Sequence, residues 1–185
     1  MPSHAERFNN AAFGTRVKEI ACSFRPDVVQ VESVFLTRYL SLTGDATTIL
    51  RMHNIEYQVW QRLAETNTGF VKQHYLKNLA TRIKKYEQWA WQQYNRLMPI
   101  TEVGASIVKQ VLPGACMLTI PIGVVTAGIE PDSTAGWVAY HIGAMDWLPN
   151  QEAVSWFLNE VWPTVHASNP QLQFVYAGRN MPDSF

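Results

Sequence analysis

The residues of this chain best suited to chemistry fall directly after short, β-rich apolar runs. They are Glu32-Ser33, His53-Asn54 and Thr101-Glu102, followed by glycine-led ends at Gly123, Gly143 and Gly178-Arg179. In an open parallel sheet a ligand binds in the crevice outside the carboxyl ends of the strands, so these positions would meet it. The first three ends offer ionisable or hydrogen-bonding side chains, and the glycines let backbone approach a ligand closely. His53 is the candidate catalytic residue: with Asn54 and Glu56 beside it, one loop holds donors and an acceptor, which suits a hydroxyl-rich ligand. Two plainer readings stand beside this one. Strands commonly end in polar and turn-forming residues, and a single loop histidine is more often structural than catalytic. Glu56 likewise serves either a ligand or the first turn of its own helix.

Other chemistries lack their residues. No GxGxxG opens a helix after a strand and no GxxxxGK[ST] occurs, which weakens dinucleotide and P-loop readings. There is no HExxH or Cys/His set for zinc, no GxSxG elbow, and no D-x-D pair after a strand, so no bound metal is expected. His74 is expected at the surface and His141 packed within a strand, while His166 lies near a helix C-terminus where the dipole favours its charged form.

The elements that must position these residues alternate along the chain. Ser3 and Glu6 have capping-box spacing, and Phe13, Val17, Ile20 and Phe24 recur on one face of a first helix that Pro26 stops. Strands are expected over 27–31, 47–52, 96–100, 116–122, 137–142 and 173–177. A short helix fits 34–42 and two helices follow His53. The longer of those two, over 70–95, carries the stripe Leu76, Leu79, Ile83, Tyr86, Ala90 and Tyr94, with Lys77, Arg82, Lys84, Lys85 and Glu87 on a solvated face. Core packing is favoured for Trp89, while Trp91 lies further round and, like Trp60, is open between core and sugar platform. A helix fits 105–111, and Asn150 can cap another with Val154, Phe157, Leu158, Val161 and Val165 buried and Pro163 kinking it. Over 123–136 periodicity disappears among Gly, Pro, Ser, Thr and Asp, as in an interdomain linker. Strand–helix alternation of this kind predicts an α/β fold with parallel sheet.

Composition narrows the class. Of 185 residues 47% are hydrophobic and 16% charged, enough for a substantial core. Fifteen basic residues balance fifteen acidic ones, so nothing calls for nucleic acid as a partner. Cys22 and Cys116 belong to no CxxC and are expected as buried thiols in a reducing compartment. No apolar run approaches the roughly 20 residues that span a bilayer, and the N-terminus lacks signal-peptide character. A cytoplasmic location is therefore expected.

Several stretches together resemble glycosyltransferase family 4. "PDVVQVES", "ILRMHNIEYQVWQRLA", "YLKNLATRIKKYEQWAW" and "MPITEVGASIV" are similar to its N-terminal half, and "IPIGV" to the passage between domains. "YHIGAMDWLPNQEAVSWFLNEVWPTV" and "LQFVYAGRNMP" are similar to the opening β-α-β unit of its C-terminal domain. The resemblance runs through nearly the whole chain in the family's order, and "RMHNIEY" and "IGAMDWLPN" are its most specific pieces. It implies a Rossmann-like parallel sheet of the GT-B type, incomplete, over 1–122, a linker over 123–136, and the start of a second Rossmann-like, donor-binding domain over 137–185.

The implied activity is metal-independent, configuration-retaining transfer of a sugar from a nucleotide-sugar co-substrate to a glycan or lipid-linked acceptor, with no other cofactor. His53 takes the place of the family's histidine facing the donor sugar. Glu32, Asn54, Glu56, Thr101 and Glu102 become acceptor- or sugar-binding candidates, and Gly123, Gly143, Asn150, Gly178 and Arg179 donor-binding ones. Bacterial relatives build surface polysaccharide, which implies peripheral association with the inner membrane face. Two departures stand out: the loop Ala144-Met145-Asp146-Trp147 has no base where the family often has one, and the family's first Gly-rich loop and later glutamate pair are expected outside these residues. The expectation is a fragment inactive by itself; the alternative is a non-catalytic carbohydrate-binding or relic domain.

Overall fold

In the computed structural model, residues 2–66, 69–125, 128, 136–183 and 185 are described. They fall into two units, Met1–Val124 and Val125–Phe185.

The first unit is built on β1 (Val28–Val31), β2 (Thr47–Met52) and β3 (Arg96–Pro99), all parallel in the order β1-β2-β3. Val28 pairs with Thr47 and Ile49 with Arg96, so the three carboxyl ends share one edge. The expected strand at 116–122 is extended backbone lying along β3: Leu97 N–H donates to the Cys116 carbonyl at 3.0 Å and Ile120 N–H to that of Pro99 at 2.9 Å. β2 alternates buried and half-exposed residues, and its Leu50 is 1% exposed. Burying such a side chain stabilises the fold by about 1.5–3 kcal/mol.

Helices cover this sheet. After α1 (Ser3–Glu6) and α2 (Ala11–Phe24), a 3₁₀ helix spans Val34–Leu42, followed by α3 (Glu56–Thr66), α4 (Phe70–Trp91) and α5 (Glu102–Val111). The α4 stripe packs as its spacing requires, with Leu76, Leu79, Ile83, Tyr86, Ala90 and, just past the helix, Tyr94 all buried. The hydroxyl groups of Tyr94 and Thr37 lie 3.0 Å apart, joining this helix end to the 3₁₀ segment. Thr101 caps α5 by accepting from Gly104 N–H at 3.1 Å, so that helix begins three residues before the expected 105.

The second unit is a β-α-β unit. β4 (Val138–Ile142) pairs in parallel with β5 (Gln173–Ala177), joined through α6 (Leu148–Trp156), a π-helical turn at Phe157–Val161, and α7 (Trp162–Ser168). The π turn precedes Pro163, whose ring clashes with, and whose missing N–H cannot bond, the carbonyl one turn back. Phe157, Trp162 and Phe174 cluster between helix and sheet, with ring centroids 4.6 and 5.6 Å from Phe174. On the other sheet face Val138, Tyr140, Ile142 and Val175 are exposed.

Several expectations need correction. The predicted first helix breaks in two, and Phe13, Ile20 and Phe24 are exposed; α2 instead presents its buried Gly14 to Tyr39 and Leu42. Trp91, not Trp89, enters the core. Glu87, expected in solvent, is 1% exposed. Both cysteines are exposed rather than buried. Asn150 does not cap its helix: α6 begins at Leu148 with Pro149 in its first turn, a residue pre-set for that position. Most of the expected linker, 126–127 and 129–135, lies outside the described residues. Among the described residues no helix is long and apolar enough to cross a membrane.

Candidate functional site

Because β1 and β2 are parallel neighbours, Glu32 and His53 emerge at the same edge. His53 Nε2 lies 2.7 Å from Glu32 Oε2. Glu32 also accepts a hydrogen bond from Gln30 Nε2. That bond, then the one with His53, holds the Glu32 carboxyl below its usual range. An ionised carboxylate only accepts, so Nε2 must carry the proton; in a neutral ring Nδ1 is then left as an acceptor. The two side chains are 42% and 53% exposed, which keeps the pair accessible.

Beside His53 a cleft of about 210 Å³ opens at the ends of β2 and β3. His53, Asn54, Gln58, Arg62 and Thr101 supply polar groups, over a base that includes Met52, Pro99 and Ile107. Gln58 and Arg62 were not singled out from sequence. Their signal was there, since Asn54, Gln58 and Arg62 recur every four residues and so share one face as the chain enters α3. Thr101 lines the cleft while its oxygen also caps α5. Glu102 sits in the first turn of α5, exposed and outside the cleft lining.

Glu32 and Glu56 face a second, smaller space under the His53 loop, about 20 Å³, shared with Arg51, Glu87 and Trp91. There the Glu87 carboxylate accepts from Glu56 N–H and Tyr57 N–H, each at 3.0 Å. Burial pushes the Glu87 carboxyl up to about 7 and raises that of Glu56 as well.

The donor-side candidates behave differently from one another. Gly123 belongs to the first unit, is exposed, and an added Cβ there would meet nothing within 4 Å. In the second unit the loops after β4 and β5 are tied together. A Cβ at Gly178 would collide with the Gly143 carbonyl, and one at Gly143 would come within 2.9 Å of both Asn150 Nδ2 and His141 Nε2. Met145 N–H donates to the Arg179 carbonyl at 2.8 Å, and Asn150 Nδ2 to that of Ala144 at 2.9 Å. Asp146 accepts from Asn180 at 2.7 Å and has the Arg179 guanidinium at 3.6 Å. Gly178 is therefore needed for loop packing, and Arg179 sits beside a carboxylate.

Compared with protein-family models and with curated proteins, the chain matches none.

Proposed function

We propose that this chain is part of a nucleotide-sugar-dependent glycosyltransferase of the GT-B type, with the first unit holding the sugar or acceptor. The observation that carries this reading is His53 at the end of the central strand β2, oriented by Glu32 and opening onto a cleft lined by Asn54, Gln58, Arg62 and Thr101. The resemblance of "RMHNIEY" and its flanking stretches to glycosyltransferase family 4 supports it.

In such a transfer the bond from the anomeric carbon to the leaving phosphate breaks and one to an acceptor oxygen forms. The nucleoside diphosphate departs with the electron pair, and a phosphate oxygen of it takes the proton that the acceptor hydroxyl releases. Nδ1 of His53 accepts a hydrogen bond from a sugar hydroxyl and holds the ring in position, since orientation contributes much of such a barrier's reduction. Asn54 and Gln58 each offer an amide that both donates and accepts, matching neighbouring hydroxyls.

The second reading, a carbohydrate-binding domain without catalysis, is favoured by one observation. The loop after β4 presents Asp146 and no base, and Arg179, from the loop after β5, already faces that carboxylate. A site for a departing diphosphate calls for positive charge or free N–H groups.

The test is to titrate the ¹⁵N-labelled chain with UDP-glucose, GDP-mannose and maltotriose. Amide shifts should gather at His53, Asn54, Gln58 and Arg62, with His53→Ala weakening binding about tenfold, the worth of roughly one hydrogen bond. Binding of maltotriose with no amide moved by either donor would favour the second reading. Cleft amides unmoved by all three compounds would remove both.

A further inference from the structure

Helix α3 starts immediately after the loop His53-Asn54-Ile55, and the residue before its first turn, Ile55, has no side-chain acceptor for the orphan N–H groups there. The acceptor comes from another helix. Glu87, near the end of α4, reaches across with both carboxylate oxygens, taking Glu56 N–H and Tyr57 N–H at 3.0 Å each. It is 1% exposed, and a carboxylate so deeply placed next to the cleft is otherwise costly. We propose that Glu87 is the positioning residue of this site: it anchors the His53 loop through the first turn of α3, and its protonation loosens that anchor.

The chemistry follows from donor and acceptor counts. Ionised, Glu87 presents two acceptors to two N–H groups. Protonated, one oxygen becomes a donor, and one of the two N–H groups loses a strong partner. The loop is then held at a single point. Groups facing Glu87 come from each neighbouring element: Glu56 and Tyr57 from α3, Arg51 and His53 from β2 and its loop, and Glu32 from the end of β1. On α4 itself, Lys84 Nζ lies 5.1 Å over the Tyr57 ring. Arg51 Nε and Trp91 Nε1, both buried beside the same small space, have no hydrogen-bond acceptor among the described residues. Burial, the largest influence, places the Glu87 change near neutral pH.

This inference rests on the proposed function only in making the His53 loop the ligand-contacting one, and its test needs no ligand. Amide spectra of the whole ¹⁵N-labelled chain are recorded from pH 5.5 to 8.5 for the wild type, Glu87→Gln and Glu87→Ala. In the wild type the Glu56 and Tyr57 amides should titrate together near neutral pH, with those of His53 and Asn54 following. Glu87→Gln keeps one acceptor and cannot ionise, so its Glu56 and Tyr57 amides should stay flat. In Glu87→Ala hydrogen-exchange protection at Tyr57 should fall about tenfold or more, as expected for a lost charge-assisted bond. Flat wild-type amides, or an inflection that persists unchanged in Glu87→Gln, overturn the proposal. So does a Glu87→Ala loop with undiminished protection. A failed sugar titration would leave these results standing, and flat amides here would leave the sugar-binding reading standing.

Discussion

At the scale of single residues, close approach separates glycines that look alike in sequence. Gly178 sits so near the Gly143 carbonyl that any side chain must push the two loops apart, whereas Gly123 faces open space. Gly178→Ala should therefore destabilise β4–β5 pairing by about 1–3 kcal/mol, in the range of overpacking. Gly123→Ala should stay within about 0.5 kcal/mol of wild type. Urea titration followed at the amides of both regions measures the difference; equal effects would contradict the packing described. At this scale, too, the Glu32–His53 pair gives a tautomer, because Glu32 is held ionised and can only accept. Type and spacing offered both residues as candidates, but only the strand register makes them partners.

Among the elements, the α3–α4 pair carries the charge with most leverage on stability. The folded protein holds the Glu87 proton up to about 7, against a usual 4.5, so the native state binds it more tightly than the unfolded chain does. This contribution is fully present below about pH 4.5 and is lost as pH rises to about 7, an amount on the order of 3 kcal/mol. Ionisation strengthens both bonds to α3 but leaves a desolvated charge, and the raised proton affinity says the second effect is larger. The expected outcome is a first unit that melts at higher temperature at pH 5.5 than at pH 8, with that difference largely gone in Glu87→Gln. Glu32 and Asp146 are shifted the other way, so what they add is lost on acidification; both are exposed, and solvent screens them.

For the molecule as a whole, charge and surface act together. Fifteen acidic and fifteen basic residues leave no net charge, the isoelectric point is about 7.0, and Phe24, Phe70, Val71, Trp137, Tyr140 and Ile142 are exposed. A chain that neither repels its copies nor hides these groups should be least soluble near pH 7 and more so on either side. Light scattering across pH 5 to 9 at fixed concentration measures this, and a maximum of solubility at neutrality would contradict it.

What the sequence determined by itself is the order of the elements. Runs such as Thr47–Met52 and Gln173–Ala177, and the α4 stripe, carry their own period, and period decides whether a segment is helix or strand. It also put His53 at a strand end, because the β-rich run stops there. Only the tertiary structure decided that Glu87 is a buried cap rather than a surface charge, that Trp91 rather than Trp89 is core, and that Arg179 faces Asp146. Each depends on a partner 30 to 33 residues away or on the angle at which a helix is rolled onto its sheet. Periodicity marks a helix's apolar face, but a carboxylate enters that face when another helix offers two unpaired N–H groups. Those groups come within reach of Glu87 only once α3 has been packed against α4.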